Sequence, residues 1–516
     1  MKLNYKRTIL VGFAFFLISA FWQAYDATIP VILTNKFGMS QTWSGVVMAL
    51  DNILAVFMLP LFGALSDKCL GSKFGKRTPF ITIGTIVAAV ALLGLSFVDN
   101  AQLKNISEVS AIDDPAALEI IYDAESDTKL QSPEGDQFVL SELFTLEEFT
   151  SIRMKTTDEN GKDITNPDYT NYVAPARQAY AQNKTTTQPL PLILFIGLLL
   201  VILVAMATFR SPAVALMPDV TMKPLRSKAN AVINLMGTAG GILVLVLGIV
   251  FSTSAARNAL MNYNVFFGII TAIMLGALTI FLATVREVKW SDQMRTDSIK
   301  YGIEEQTQQD EVTRSLTAAE LKSLICILLS IGLWYFGYNA VTSKYAVYAG
   351  NILDKDYNTT MLLAQAAAIV SYLPAGHLAS KIGRRKTILA GVVMLTASFT
   401  AAAFMRASSP TLLMNILFML AGVAWATINV NSFPMVVEMC SGADIGKYTG
   451  FYYTASMTAQ IITPMLSGLL MDQMGMTILF PYAAIFVALA FVTMSLVRHG
   501  DSKVIAKRGL EALDAD

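Results

Sequence analysis

GALSDKCLGSKFGKR, residues 63–77, closes one long apolar run, and GHLASKIGRRK, residues 376–386, closes another. Each sets a Gly four residues before a polar residue and a Lys, then a Gly and paired basic residues. The next comparable loop of each half opens on an acid, Asp219 in the first and Glu438 in the second. From Gly63 to Asp219 is 156 residues, and from Gly376 to Glu438 is 62. The excess is close to the length of one polar stretch, 99–187, which has 89 residues. Without that stretch the halves come into register. Internal duplication in a polytopic chain marks a secondary transporter, with its substrate site between the repeats near the bilayer midplane.

Composition supports a membrane protein. Of 516 residues 54% are hydrophobic and 15% charged, and the mean hydropathy is +0.52, which excludes an ordinary soluble domain. Runs of about 20 apolar residues predict an all-α protein of twelve spans in two halves. Six spans lie near 8–33, 42–66, 79–98, 190–213, 229–251 and 263–285. Six more lie near 321–349, 360–379, 387–405, 411–437, 448–471 and 476–497. The expected organisation is an N-terminal half over 1–285, a linker over 286–320, a C-terminal half over 321–498 and a tail over 499–516.

Loop charge sets the expected orientation. With the N-terminus inside, one side collects Lys2, Lys6, Arg7, Lys68, Lys73, Lys76, Arg77, Lys223, Arg226, Lys228, Lys381, Arg384, Arg385 and Lys386. The short loops of the other side show little more than Lys36, Arg257, Lys355 and Arg406. The bias predicts a multi-pass protein of the cell membrane with both ends cytoplasmic. It leaves no role for nucleic acid. No Cys is placed for an extracytoplasmic disulfide, no residue set reads as a metal or cofactor site, and no nucleophile–base constellation suggests an enzyme.

The 99–187 stretch then faces outside. It holds 17 acids against 7 basic residues, a composition shared with disorder. The capping box Thr145-x-x-Glu148 before a short apolar run and the turn signal Asp158-Glu159-Asn160-Gly161 favour a small, partly ordered cap. The linker is expected to hold a short helix and to end in a second capping box, Thr317-x-x-Glu320, that starts span 7.

Asp67, Asp219 and Glu438 each stand at the C-terminal end of a membrane helix, where the dipole is already negative. Each needs a cationic or N–H partner from elsewhere. Lys76, Arg77, Arg226, Arg384 and Arg385 are the nearby supply, with Lys447 and the N-termini of spans 5 and 11. The expectation is a cytoplasmic gate that holds the halves together in one state. The plainer alternative is that the basic residues are topology signals alone.

These residues resemble a known family. Gly63-x-x-Ser66-Asp67-Lys68, then Gly75-Lys76-Arg77-x-Pro79-Phe80-Ile81, looks like the loop 2–3 motif of the major facilitator superfamily. Its trailing Pro-Phe-Ile is similar to that of the sucrose–proton symporters, among the glycoside–pentoside–hexuronide cation symporters. Ser211–Asp219, then Arg226-Ser-Lys-Ala-Asn230-Ala and Gly237-x-x-Gly240, resembles the same proteins through helices 4 and 5. One departure stands out. Those symporters carry an Arg where this chain has Val214, and the only Arg in the span is Arg210, one turn earlier.

The resemblance implies that spans 1, 4, 7 and 10 line a central cavity. Each is unusually polar or aromatic. Span 1 carries Trp22 and Asp26 on one face, and span 4 carries Arg210. Span 7 offers Trp334, Tyr338 and Asn339, and span 10 offers Trp425 and Asn429. Asp51 and Asn52 on span 2, Asn234 on span 5 and Gln460 on span 11 complete the expected substrate set. A carboxylate in a membrane helix costs about 2.5–3.5 kcal/mol at its centre and is functional by default. Asp26 and Asp51 each lie about eight or nine residues from the outer end of their spans, so both sit roughly 12–14 Å below the outer surface. For Asn230 helix–helix hydrogen bonding is the favoured reading, and for Tyr335, Tyr345 and Tyr348 packing and substrate contact stay open.

Sugar hydroxyls want carboxylates, amides and Arg, and ring faces want flat aromatics. Coupling wants a carboxylate that loads and releases a proton near neutral pH. The expected function is therefore proton-coupled symport of a disaccharide or other glucoside by alternating access, working as a monomer. Asp26 and Asp51 are the proton-coupling candidates, and sodium is the other candidate ion. Two rivals remain: an exporter of an amphiphilic small molecule, and a non-transporting sensor that works through the acidic insert.

Overall fold

The computed structural model describes residues 3–69, 73–157, 163–222, 225–301, 316–439 and 445–500. The chain is almost wholly helical. Its long helices are α1 (Tyr5–Asn35), α2 (Gln41–Lys68) and α3 (Thr78–Asn105), followed after the polar stretch by α8 (Leu190–Asp219), α9 (Arg226–Phe251) and α10 (Asn264–Thr284). A linker helix α11 (Glu287–Lys300) precedes α12 (Ala318–Tyr348), α13 (Tyr357–Ile382), α14 (Arg384–Ala402), α15 (Thr411–Val437), α16 (Ile445–Met474) and α17 (Leu479–Ser495). Among the described residues, nine helices are long and apolar enough to cross a membrane: α1, α2, α3, α8, α9, α10, α12, α15 and α17.

Two apolar cores divide the helices. One is built from α1, α2, α3, α8, α9 and α10, with Phe21, Phe195, Phe209 and Phe266 among its fully buried side chains. The other gathers α12 to α17 around Trp334, Tyr345 and Phe480. Prolines interrupt the ladders of α1, α2, α8, α13, α15 and α16. Such breaks are tolerated in membrane helices because neighbours satisfy the freed backbone groups.

The stretch between α3 and α8 is an ordered small domain. It contains α4 (Pro115–Glu125), strands β1 (Lys129–Gln131) and β2 (Gln137–Val139), α5 (Leu140–Leu143), α6 (Leu146–Ser151), strands β3 (Lys155–Thr157) and β4 (Asp163–Thr165), and α7 (Ala174–Thr187). Each strand pair is an antiparallel hairpin. Its own core holds Ile106, Leu118, Ile121, Phe138, Phe149 and Tyr169. The Thr145–Glu148 capping box is present in full. The expected turn at 158–161 lies outside the described residues. The linker's Thr317–Glu320 capping box also forms.

The two ends of the bundle differ. At the end bearing the small domain, hydrogen bonds tie the cores together. The Asp472 carboxylate, at the end of α16, accepts from the Gln41 and Thr42 backbone N–H groups at 2.8 and 2.7 Å and from the Thr42 hydroxyl at 2.5 Å. It thereby caps α2 from the other core. Lys344 Nζ of α12 donates to the Gln41 carbonyl at 2.5 Å, and the Asn358 amide reaches Thr253 and Ser254 at 2.9 and 3.0 Å. Gly45 and Gly468 let α2 and α16 touch backbone to backbone, since a Cβ at Gly45 would meet the Pro464 carbonyl and one at Gly468 the Gln41 carbonyl. The β1–β2 turn adds a strap: Met476 N–H donates to the Pro133 carbonyl at 2.7 Å. There Gly135 (φ +107°) and Gly475 (φ +88°) lie against each other's neighbours, in backbone conformations that favour glycine.

Candidate functional site

Between the two cores, in the middle of long apolar helices, polar and aromatic side chains from several elements converge. Trp22 and Asp26 of α1, Asp51 and Asn52 of α2 and Arg210 of α8 form one wall, each half-buried. The Arg210 guanidinium sits 5.8 Å from the Trp22 ring centre, in a cation–π arrangement. Asp51 is within electrostatic reach of both Asp26 and Arg210, so the two acids and the guanidinium form one cluster. Asn52 donates to the Asp51 carboxylate at 2.7 Å.

The opposite wall comes from α12, α13, α15 and α16. Tyr338 and Trp425 stack with ring centres 3.6 Å apart and planes 5° from parallel. Tyr335 meets Trp425 edge-on at 5.2 Å. Tyr338 and Tyr357 lie within electrostatic reach of Asp26, Tyr453 within reach of Arg210, and Tyr372 lies beside Asn429. The buried Trp22 Nε1 and Asn339 Nδ2 donors have no hydrogen-bond partner. A buried donor left so is costly, and both suit an incoming acceptor oxygen.

Three expected residues behave otherwise. Trp334 is 1% exposed and packed in the C-terminal core. It stands one turn from Tyr338 but offset by about 40° around the helix, which places it in packing and off the wall. Asn234 is exposed on α9 and makes no side-chain hydrogen bond among the described residues. Gln460 donates back to the Ser456 carbonyl of its own helix at 3.3 Å. Tyr345 and Tyr348 are fully buried and belong to packing.

Sequence reasoning missed a bridge beside Asp26. Gln365 of α13 donates to the Gln23 side-chain oxygen at 2.6 Å, and Gln23 of α1 donates to the Tyr357 hydroxyl at 3.3 Å. Gln23 is buried and its contact is long-range. The available signal was a pair of amides in otherwise apolar runs.

At the end carrying both chain termini, the described charge pairs lie within each half. Arg77 Nε pairs with Asp219 at 2.8 Å, joining the start of α3 to the end of α8, and Arg77 also donates to Ser66 at 2.5 Å. Arg384 pairs with Glu438, joining α14 to α15. Arg226 donates to the Pro218 and Thr221 carbonyls at 3.1 and 3.3 Å, and Arg385 to the Ser495 carbonyl at 2.5 Å. The Asp67 and Lys447 side chains lie outside the described residues. Glu287, the first residue of α11, was not anticipated. Its carboxylate accepts from the backbone N–H groups of Lys76, Arg77 and Thr78 at 2.6, 2.9 and 2.8 Å and from the Thr78 hydroxyl at 2.7 Å, and so caps α3 from the linker.

Two cores of long apolar helices with a polar site between them are the architecture of a multi-pass membrane protein. Residues 324–512 match the family model of the Major Facilitator Superfamily. The stretch similar to the MFS-type transporter ppzB of Metarhizium rileyi is 26% identical over 142 residues, 27% of this chain and 29% of that protein. Another is 40% identical over 73 residues to the human (Homo sapiens) proton-associated sugar transporter A, covering 14% of this chain and 9% of that protein. The chain thus spans less than a third of the length of either curated relative. The inward-open xylose transporter XylE from E. coli shares the fold over 99% of both chains, with a TM-score of 0.59 and 13% identity. Over residues 324–512 the chain is thus similar to the Major Facilitator Superfamily, and over its whole length it shares the fold of XylE.

Proposed function

We propose that the chain is a proton-coupled symporter of a disaccharide or other glucoside. The observation that carries this reading is the arrangement of the Asp26–Asp51–Arg210 group opposite the Tyr338–Trp425 platform. Hydroxyls of a sugar find charge-assisted partners on one side, and the apolar ring face finds a flat aromatic surface on the other. Arg210 meets Trp22 and Asp51, so it serves the site despite standing a turn before Val214. One acid carries the coupling proton and the other holds substrate. Similarity to a transporter named for proton-associated sugar transport supports the same class.

In this reading α13, α14 and α16 also cross the bilayer, giving twelve spans in two halves, with both termini cytoplasmic and the small domain outside. The bonds at the small-domain end then close the outer side, as in an inward-facing state. The halves rock about the site, and the protein acts as a monomer.

The experiment is uptake of labelled sucrose and maltose into proteoliposomes under an inward proton gradient, a sodium gradient or neither. Wild type, Asp26→Asn and Asp51→Asn are compared. Proton-driven accumulation that one variant reduces to exchange assigns the coupling carboxylate. Absence of accumulation of either saccharide under both gradients overturns the reading.

A further inference from the structure

A second cleft lies outside the central site, between the α2–α3 loop, the last turn of α10 and the linker helix α11, with a volume of about 610 Å³. Its floor includes Thr78, the first residue of α3, and Leu282, in the last turn of α10. Both helices are long and apolar enough to cross a membrane, so a cleft at their adjacent ends lies at the level of lipid headgroups. Its rim carries Lys73, Arg286 and Lys289, all exposed and without an ion pair among the described residues. Beside them stand two exposed apolar side chains, Phe74 (69%) and Val288 (45%).

Of the cleft's three acids, the Glu287 carboxylate is taken by the start of α3, and Asp297 lies within electrostatic reach of Arg7. Asp292 and Asp297 then stand against Lys73, Arg286, Lys289 and the neighbouring Arg7, a positive balance. Cationic groups over an apolar, membrane-level rim match one chemistry: a phosphate with an acyl chain attached. A free phosphate would leave Phe74 and Val288 without a function in the site.

We propose that this cleft binds the headgroup of an acidic phospholipid. The bound headgroup bridges the α2–α3 loop, through Lys73, to α11, through Arg286 and Lys289. It braces the junction where Glu287 caps α3 and where Arg77 pairs with Asp219. Occupancy therefore stabilises the terminus end of the N-terminal half.

The test uses the full chain in nanodiscs of phosphatidylcholine with and without phosphatidylglycerol. Native mass spectrometry reads retained lipid, and a thermal melt reads stability. Wild type is compared with Lys73→Gln/Arg286→Gln/Lys289→Gln and with a control, Arg295→Gln/Lys300→Gln, which removes two exposed cations elsewhere on α11. The expected result is several-fold preferential retention of phosphatidylglycerol, with a raised melting midpoint, in wild type and control but not in the triple variant. Equal retention of both lipids overturns the proposal, as does a preference that survives in the triple variant or is lost in the control. Soluble glycerol 3-phosphate is the last arm. If it raises the midpoint as much as the lipid does, the site takes a free phosphate and the lipid assignment fails.

Discussion

Tyr338 and Trp425 come from different helices, α12 and α15, yet their rings lie within 5° of parallel with centres 3.6 Å apart. Tyr335 braces the pair edge-on. The result is a rigid aromatic stack with Asp26 within electrostatic reach of its Tyr338. Aromatic pairs of this kind contribute about 0.5–1.5 kcal/mol beyond the area they bury. For the proposed symport, Trp425→Ala is therefore expected to raise KM up to about tenfold, while Trp425→Phe keeps most of the affinity. Initial uptake rates over a range of substrate concentrations check this.

Lys36 and Asp99 form a second defining pair, away from the site. Both side chains are wholly buried, 2.7 Å apart, and the ammonium also donates to the Met261 carbonyl and lies over the Tyr263 ring. Removing one member leaves a buried charge uncompensated, at about 3–5 kcal/mol. Lys36→Met alone is expected to lower thermal stability sharply, and Lys36→Met/Asp99→Leu to recover most of the loss. Melting curves of the purified protein decide it.

Asp472 closes the small-domain end by capping a helix that belongs to the other core. Asp472→Ala strips partners from two backbone N–H groups and a hydroxyl, each buried donor costing about 1–3 kcal/mol. Part of that cost is relieved by opening this end. The expected outcome is at least a tenfold faster alkylation, from the small-domain side, of a cysteine placed at Gln365 in a chain whose three native cysteines are replaced by serine.

The hairpin strap predicts the same direction by a different route. Gly135 has φ +107°, and a Cβ there would stand 2.7 Å from the Met474 carbonyl oxygen. Gly135→Val is expected to lift the β1–β2 turn from the α16–α17 corner and to speed alkylation at the Gln365 position. Hydrogen exchange within the core of the small domain stays unchanged, because the turn lies outside that core.

Glu125, in α4 of the small domain, is raised above the ordinary glutamate range by burial, with the Thr128 side chain partly opposing. The folded domain therefore favours the protonated acid. That contribution is fully present below the ordinary glutamate pKa and is lost as pH rises through the folded value. Glu125→Gln is expected to stabilise the domain at neutral pH, with the advantage fading in acid. Melting curves at several pH values read it directly.

Much of this was legible in the sequence, and the failures have physical causes. Asp219 and Glu438, acids at the negative end of a helix dipole, do pair with Arg77 and Arg384. Asp472 at the end of α16 is in the same position, but its partner is a helix N-terminus 431 residues away in the chain, which sequence proximity does not reveal. Trp334 and Trp425 look alike in sequence. Whether a residue falls on the wall or in the core depends on a few tens of degrees of helix rotation, which apolar periodicity does not fix when a helix is hydrophobic all round. Glu287 read as one more linker charge because its partners are backbone N–H groups, which carry no sequence signal. The small domain's composition suggested partial order at best. Its stability rests on short elements that meet only in three dimensions, such as Ile106 and Phe149.

The strap changes the connectivity of the whole molecule. The linker joins the halves by covalent chain at one end, and the Pro133–Met476 bond joins them again at the other. Together they make a closed ring, in which the turn is one non-covalent link beside those of Asp472, Lys344 and Asn358. A binder that grips that turn, such as an antibody fragment, holds the ring shut without ever entering the central site, so its effect is independent of whatever the site binds.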